Sequence, residues 1–399
     1  MAKRIPVFTP FVTQEMKDAA CRVLDSGHYI RTTPAEESEG LALEQEFGAF
    51  LAGPGGRQPH VANVANGTAA MHLAWAAYGV GPGDEVIVPA NTFSSVAHCV
   101  SLVGATPVFV DVEPDIYNMD PAAAAAAVTP RTRAIMPVHT AGHPADMAPI
   151  LALARKHGLL VIEDACQAIG ARYAGEAVGT LGDAGCYSFV QNKAMTCGGE
   201  GGAVGSYDEA IVRRVFTLAN HARGARFHAG NAMPSPYRQV VHDGVGFNYR
   251  QSEVLSAIAR VQLRLLPEWL RRRRHLVGLY RRLLTESGIP VQQPAERPWA
   301  EHSYVRFEVR VQRRDEIRQY LKQQGIGTAV HYPTPLHLDD PYREQFGFRE
   351  GMLPVSERLA REILGLPLYP QMGDDDVAYV VEHLAAFFRK PVTAAEPAR

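Results

Sequence analysis

The sequence has few of the features that mark secreted, membrane or nucleic-acid-binding proteins. Its 399 residues include only five cysteines, and their odd number and unpaired spacing argue against a disulfide framework. No stretch approaches the roughly 18 continuous apolar residues that a membrane helix needs. The formal net charge of −2 gives no reason to expect a nucleic-acid partner. The N-terminal segment lacks the apolar core of a signal peptide, so we expect a cytoplasmic protein with reduced thiols.

A metal site is not expected either. Cys166, Cys186 and Cys197 lack the regular Cys/His spacing of a tetrahedral zinc site, and buried, inert thiols are the preferred interpretation. The one dense basic run, Arg271 to Arg274, falls in a helical pattern, so its side chains splay around the helix axis. That run predicts a solvated helix surface rather than a phosphate-binding patch.

Short apolar segments alternate with helix-like segments from about residue 60 to residue 265, which predicts an α/β fold. This rhythm is typical of a mostly parallel sheet covered by helices on both faces. Ligands bind at the carboxyl ends of such strands, where Asn91 to Phe93, His139 and Asp164 are expected. The predicted strands are 85–88, 107–111, 134–138 and 159–163, and the predicted helices are 68–78 and 144–157.

The pattern changes near residue 265, which predicts two domains. We expect residues 1–265 to form a large cofactor-binding domain that includes the N-terminal segment, and residues 266–390 to form a smaller α+β domain. A helical stretch that runs toward Trp269 contains Pro267, where a kink is expected. An alternating strand is expected over 302–311 and a helix over 374–388, while residues 391–399 are expected to be a disordered tail.

Lys193 and Asp164 are the candidate catalytic residues. Lys193 lies in a loop between strand-like segments, just before a glycine-rich run, and Asp164 follows another apolar strand. An amine can condense with an aldehyde, and a carboxylate can keep a pyridine nitrogen protonated, so the pair suits pyridoxal 5'-phosphate (PLP) chemistry. The alternatives are a surface lysine and a carboxylate that caps a helix at 165–167.

A phosphate group could be held where a helix begins after Asn66. The amides of Gly67 and Thr68 would lie at the positive end of the helix dipole, although an ordinary helix cap fits these residues equally well. Ser188 could add a hydroxyl, and Phe93 could cover one ring face, with a core position as the alternative. The glycine-rich run at 198–202 matches neither a dinucleotide fingerprint nor a P-loop, which argues against a dehydrogenase.

Five segments, taken together and in order, resemble the DegT/DnrJ/StrS family of PLP-dependent aminotransferases, within the fold type I superfamily. They are NGTAA at 66–70, EDACQA at 163–168, SFVQNK at 188–193, GEGG at 199–202 and GFNYR at 246–250. The resemblance covers nearly the whole chain, including 331–333 and 335–337 in the predicted small domain.

The resemblance implies how the cofactor is held. Lys193 would form a Schiff base with PLP, Asp164 would pair with the pyridine nitrogen, and Gln167 would lie against the phenolic oxygen. The remaining implied contacts are to the phosphate, from Gly67, Thr68 and Ser188, and to the ring face, from Phe93.

The resemblance also implies a partner and a substrate side. Asn248 would reach the phosphate of the neighbouring subunit, which makes a homodimer part of the site. His331 and Tyr332 would face the substrate, and Gln191 is a further candidate there. The implied reaction moves an amino group from glutamate or glutamine to a keto-sugar, most commonly nucleotide-linked, for glycan or antibiotic biosynthesis.

Two departures from the common family pattern bear on the substrate. The triplet Val190-Gln191-Asn192 is unlike the one found in many nucleotide-sugar enzymes of the family. The glutamine at position 191 resembles the branch of the family that acts on keto-cyclitols or aminobenzoate precursors. Seven positions rather than six separate Lys193 from Glu200. Related sugar dehydratases carry histidine in place of Lys193, which argues against dehydration. A non-catalytic PLP-binding regulator is a further alternative.

Overall fold

A computed structural model describes residues 3–31, 38–223, 242 and 244–389. Its strands are β1 (His60–Val64), β2 (Glu85–Pro89), β3 (Thr106–Val110), β4 (Thr132–Ile135), β5 (Leu160–Asp164), β6 (Arg172–Tyr173), β7 (Glu176–Ala177), β8 (Ala184–Ser188), β9 (Gly202–Ser206), β10 (Ala300–Glu301), β11 (Phe307–Arg310) and β12 (Ile363–Leu366). Its α-helices are α1 (Gln14–Ser26), α2 (Glu39–Phe50), α3 (Gly67–Tyr78), α4 (Ser95–Leu102), α5 (Pro121–Ala126), α6 (Met147–His157), α7 (Glu209–Ala219), α8 (Glu253–Ser287), α9 (Arg314–Gln323), α10 (Asp340–Phe346), α11 (Pro354–Glu362) and α12 (Asp374–Arg389).

Seven strands form one sheet in the order β1-β9-β8-β5-β4-β2-β3. β9 is antiparallel to β8 and β1, and the other neighbouring pairs are parallel. Val86 and Val88 pack in the same core cluster as Trp75 of α3, whereas Ile87 between them packs with Ile150 of α6. Because neighbouring side chains of a strand point to opposite faces, both faces of the sheet are covered by helices. The predicted α/β class is confirmed.

Most of the predicted elements in the sheet region are present within a few residues of their expected bounds. β2, β3, β4 and β5 match the four predicted strands, and α3 and α6 match the two helices. In the C-terminal part, α12 matches its prediction, but the strand expected over 302–311 is limited to β11, and the preceding residues have no regular structure.

The helix around Pro267 differs from its prediction. α8 runs without interruption for 35 residues, with Pro267 inside it. Leu263, Leu266 and Leu270 on both sides of the proline are buried in one core cluster. This packing stabilises the helix across a position that cannot donate a backbone hydrogen bond.

The arginine run in α8 corrects another expectation. Arg273 is only 2% exposed, and its Nη1 lies within hydrogen-bonding distance of the carbonyls of Tyr304, Val305 and Leu368. Burial lowers the pKa of Arg273 to about 10. The other three arginines of the run remain partly or fully exposed, so the solvated surface predicted for Arg271 to Arg274 is wrong at this one position.

The second half of α8 belongs to a separate hydrophobic core. Leu276 and Tyr280 pack there with Phe307 of β11 and Leu364 of β12, and Ile5 from the N-terminal segment joins them. The proposed boundary at residue 265 therefore falls inside a continuous helix, and the division into 1–265 and 266–390 stays a prediction. The predicted tail, 391–399, lies outside the described residues.

Candidate active site

A cavity of about 620 Å³ opens at the carboxyl ends of the central parallel strands. Asp164 ends β5, Lys193 lies in the loop after β8, and Gly67 begins α3, so the sheet brings together residues that are distant in sequence. The predicted site residues that line this cavity are Gly67, Thr68, Phe93, Asp164, Gln167, Ser188, Lys193, His331 and Tyr332.

Two of the predicted residues lie elsewhere. Gln191 and Asn248 are both exposed, and neither belongs to the described lining of the cavity. Asn192, next to Gln191, does line it. Asn248 pairs through its backbone with Asn220, at the end of α7. Its predicted contact with a neighbouring subunit stays a prediction.

Lys193 lies in a short turn in which its backbone N–H donates to the Val190 carbonyl at 3.0 Å. Burial lowers the pKa of Lys193, and the nearby Arg306 guanidinium lowers it further, against the opposing effect of the Asp164 carboxylate. The neutral amine, which is the nucleophilic form, is favoured by this environment.

The Asp164 carboxylate is held by the backbone around it. Asp164 is 2% exposed, and its Oδ1 accepts a hydrogen bond from the Cys166 N–H at 2.9 Å. Its own N–H donates to Pro137, and its carbonyl accepts from His139. Residues 165–167 form a turn, so the alternative of a helix cap is wrong. A buried carboxylate in a ligand cavity is costly unless a cation faces it.

The beginning of α3 combines a helix cap with backbone N–H groups that have no acceptor within the helix. The Asn66 side chain accepts from the Ala69 N–H at 2.8 Å, which is an ordinary N-cap. The amides of Gly67 and Thr68 lie in the same first helical turn, which has no intrahelical acceptors for them. A Cβ at Gly67 would lie 2.9 Å from both Cys166 Sγ and Ser188 Cβ, so the close approach of helix and sheet requires glycine.

Gln167 and Tyr332 both line the cavity and are connected by a side-chain hydrogen bond. The buried Gln167 amide accepts from the Ala141 N–H at 3.2 Å and donates to the Tyr332 hydroxyl at 3.3 Å. Phe93 is 52% exposed, and its ring centroid lies 6.1 Å from that of Tyr332. Phe93 is therefore a rim residue with an accessible face, not a core aromatic.

Arg306 is the main residue that the sequence reasoning did not identify. It lines the cavity just before β11, and its guanidinium donates to Gln167 Oε1. Its Nε lies 3.1 Å from Oε1 of Glu308, which in turn pairs with His331 Nδ1 at 2.5 Å. The signal was available: in an alternating segment, Arg306 and Glu308 share one face while Phe307 lies on the other.

The protonation states of Arg306, Glu308 and His331 are set by their mutual contacts and burial. Burial alone would raise the pKa of Glu308, but Arg306 and His331 outweigh it and lower that pKa. Burial, reinforced by Arg306, lowers the pKa of His331, so the imidazole is neutral at physiological pH. Arg306 and Glu308 therefore form a charged pair beside a neutral histidine.

The described residues contain no cluster of three or more His, Cys, Asp or Glu side chains that could hold a metal ion. In the same part of the chain, no helix has both the length and the apolar character to cross a membrane. All five cysteines have free thiols, and four of them are buried.

The cavity fits PLP on its own geometry. Asp164 can face the pyridine nitrogen, the first turn of α3 can bind the phosphate, and Lys193 has an amine of lowered pKa that can meet the aldehyde. Together with the sheet topology, these residues define a fold type I PLP-dependent aminotransferase.

Comparison with known proteins gives the family. Residues 11–385 match the DegT/DnrJ/EryC1/StrS aminotransferase family, and the chain belongs to it. The chain is 40% identical over 386 residues to a pleiotropic regulatory protein of Geobacillus stearothermophilus, with 94% of this chain and 96% of that protein covered.

Two further relatives are named as sugar-modifying enzymes. The UDP-N-acetyl-3-dehydro-α-D-glucosamine 3-aminotransferase of Acidithiobacillus ferrooxidans is 38% identical, with 90% of each chain covered. The dTDP-3-amino-3,4,6-trideoxy-α-D-glucose transaminase of Streptomyces venezuelae is also 38% identical, with 92% of this chain and 90% of that protein covered.

Solved structures agree in fold. S. venezuelae DesV, in complex with a ketimine intermediate, has a TM-score of 0.84 and 37% identity, covering 94% of this chain and 95% of that chain. A 3-amino-5-hydroxybenzoic acid synthase has a TM-score of 0.85 and 30% identity, covering 97% and 99%.

Proposed function

We propose that the protein transfers an amino group from glutamate or glutamine to the keto group of a nucleotide-linked sugar, giving an amino sugar for glycan or antibiotic biosynthesis. The observation that carries this proposal is the cavity that joins Lys193, Asp164 and the first turn of α3. The relatives named as transaminases of UDP- and dTDP-linked sugars support the substrate class.

The residues of the chain supply positioning and proton transfer. PLP, when bound, provides an aldehyde that condenses with amines and a ring that stabilises a carbanion. Asp164 would hold a proton on the pyridine nitrogen of the bound cofactor, and Gln167 would orient its phenolic side. The Lys193 amine would bind the cofactor aldehyde and, when released, would take the proton from the α-carbon of the amino donor. A donor that leaves before the keto acceptor binds predicts ping-pong kinetics.

We also propose that the enzyme is a cytoplasmic homodimer whose subunits share their active sites. Asn248 is exposed beside the end of α7, in a segment that also contributes Tyr249 to the cavity lining. An exposed residue that is adjacent in sequence to a lining residue, but outside the described lining itself, is suited to reach a second subunit. The free thiols are those expected in a reducing compartment.

The alternative substrates are a keto-cyclitol or an aminobenzoate precursor. The similarity to the aminohydroxybenzoic acid synthase favours this alternative at the level of fold. Its sequence support was Gln191, whose side chain is exposed outside the described lining of the cavity. The geometry therefore gives the alternative less support than the sequence did.

A regulator that binds PLP without turnover is the second alternative, favoured by the name of the Geobacillus relative. The position of Lys193 in one cavity with Asp164, together with a pKa lowered by burial, supports chemistry over binding alone. A sugar dehydratase is disfavoured, since Lys193 occupies the position at which those enzymes carry histidine.

One experiment separates these functions. The PLP-loaded enzyme is mixed with glutamate or glutamine, and the absorbance of the lysine-bound cofactor is followed. Its loss indicates conversion to the amine form, which is then offered nucleotide-linked keto-sugars and an inosose. Return of the absorbance with a keto-sugar supports the proposal, and return with the inosose alone supports the alternative. An unchanged spectrum with both amino acids would indicate a regulator. Lys193→Ala that retains normal turnover would refute the assignment.

A further inference from the structure

Arg306 stands out among the residues that line the cavity because of its charge. Within the described lining, the lysine and arginine side chains are Lys193 and Arg306. In the proposed function Lys193 is used for covalent chemistry, and burial lowers the pKa of its amine. The Arg306 guanidinium stays protonated at physiological pH, so Arg306 is the side chain of this lining that remains available as a cation.

We infer that Arg306 binds the α-carboxylate of the amino donor and so determines that the first half-reaction takes an α-amino acid. This inference rests on the proposed aminotransferase function and adds to it the residue that recognises the donor. The chemistry recognised is a planar carboxylate next to the carbon that loses its proton.

The guanidinium is held in place before any substrate arrives. Its Nε side faces Glu308, which is 1% exposed, and one Nη donates to Gln167. The backbone N–H of Arg306 donates to the Ala141 carbonyl at 3.2 Å, and the guanidinium carbon lies 5.9 Å from the centre of the Tyr332 ring. A fixed, partly neutralised guanidinium loses little freedom when it binds a second carboxylate.

The position of Arg306 suits the donor better than a nucleotide diphosphate. The α-carboxylate of an amino acid is bonded directly to the reacting carbon. Arg306 and Lys193 line the same cavity, and the Arg306 guanidinium lowers the pKa of that amine. In a nucleotide-linked sugar, the sugar ring separates the diphosphate from the keto carbon, so its charge is farther from Lys193.

The competing explanation is that Arg306 only neutralises the buried carboxylate of Glu308. Removing one partner of such a pair leaves an uncompensated buried charge. The test therefore includes Arg306→Gln alone and the charge-balanced double variant Arg306→Gln/Glu308→Gln. Arg310→Gln is the matched control, because Arg310 lies on the same strand, also pairs with a glutamate, and is outside the cavity lining.

The experiment follows conversion of the PLP-loaded enzyme by stopped-flow absorbance. Two donors are compared: the accepted amino acid, glutamate or glutamine, and its α-amide, in which the α-carboxylate is neutral. In the unmodified enzyme, the α-amide should need about 30-fold higher concentration for half-saturation, which corresponds to about 2 kcal/mol. In both Arg306 variants, the concentration of the amino acid needed for half-saturation should rise about 30-fold, and that of the α-amide should change little.

A binding measurement accompanies the kinetics. Glutarate, a dicarboxylate without an amino group, is titrated into the PLP-loaded enzyme by calorimetry. We expect about 30-fold weaker binding in both Arg306 variants and unchanged binding in Arg310→Gln.

Two results would overturn the inference: equal losses for the amino acid and the α-amide in the Arg306 variants, or no loss for either. If no amino acid converts the unmodified enzyme, the proposed function fails. The glutarate titration then still decides whether Arg306 binds a carboxylate.

Discussion

At Gly67, the addition of a single methyl group should weaken PLP binding while leaving the protein folded. Gly67 begins α3, beside Cys166 and Ser188, and its backbone does not have a left-handed φ. Alanine is therefore conformationally acceptable there. The substitution Gly67→Ala tests packing and phosphate binding without strain in the backbone.

The expected energies follow from the two contacts. The new Cβ would lie 2.9 Å from Cys166 Sγ and 2.9 Å from Ser188 Cβ, distances at which atoms must move apart. Overpacking of this kind costs about 1–3 kcal/mol. Alanine in place of glycine in a helix returns about 0.5–1 kcal/mol. We expect a net loss of about 1 kcal/mol in unfolding free energy. Because the first turn of α3 is displaced from the sheet, we also expect at least about tenfold weaker PLP binding.

Gly278→Ala is the matched control. Gly278 lies within α8 and is exposed, and a Cβ added there would meet no neighbouring atom within 4 Å. The substitution should gain about 0.5–1 kcal/mol in stability and leave PLP affinity unchanged. Stability is measured by urea denaturation of the apo-protein, and PLP affinity by fluorescence titration. Unchanged affinity and stability in Gly67→Ala would refute the assignment of the first turn of α3 as the phosphate site.

Three further predictions concern the cavity and its surroundings. Asp164→Asn preserves the acceptor for the Cys166 N–H but removes the charge, so we expect retained PLP and about 100-fold slower conversion by the amino donor in stopped-flow absorbance. Asn192→Ala should raise the KM for the keto acceptor several-fold, whereas Gln191→Ala should not; equal effects in steady-state kinetics would contradict this. Burial lowers the pKa of His143 to about 4 from its usual value of 6.5, so the unfolded chain binds a proton first as the pH falls. This group's stabilisation is complete above about pH 6.5 and is lost down to about pH 4, by at most about 3 kcal/mol, and His143→Asn should flatten that part of the denaturation profile.

Sequence reasoning located the parts of the site that depend on local structure. Asp164 ends β5 and Lys193 follows β8, and because these two neighbouring strands are parallel, their carboxyl ends lie at one edge of the sheet. The N-cap at Asn66 is encoded locally, because its side chain accepts from the Ala69 N–H only three residues away. These features needed no knowledge of how the two hydrophobic cores are arranged.

Arg306 could not be placed in the same way. Its guanidinium donates to Gln167, which is 139 positions away in the sequence. The backbone hydrogen bond from Arg306 to Ala141 helps to hold the two segments together. The alternation around Phe307 showed that Arg306 and Glu308 share a face, but not that this face meets the cavity. The continuous α8 was missed for a related reason: tertiary packing on both sides of Pro267 overrides the local preference of proline.

The turn before Lys193 contains Gln191 and Asn192, the two residues of this segment that bear on the choice of substrate. Because the Lys193 N–H donates to the Val190 carbonyl, the chain turns over Gln191 and Asn192. Both residues are exposed, but the described cavity lining includes Asn192 and not Gln191. Gln191, the residue on which the cyclitol alternative was based, therefore lies outside the described lining of the cavity in its own subunit. If Gln191 affects specificity, it must act through the neighbouring subunit of the proposed homodimer. In that case, a Gln191 variant would alter acceptor preference only in the assembled dimer, whereas an Asn192 variant would act on the cavity of its own subunit.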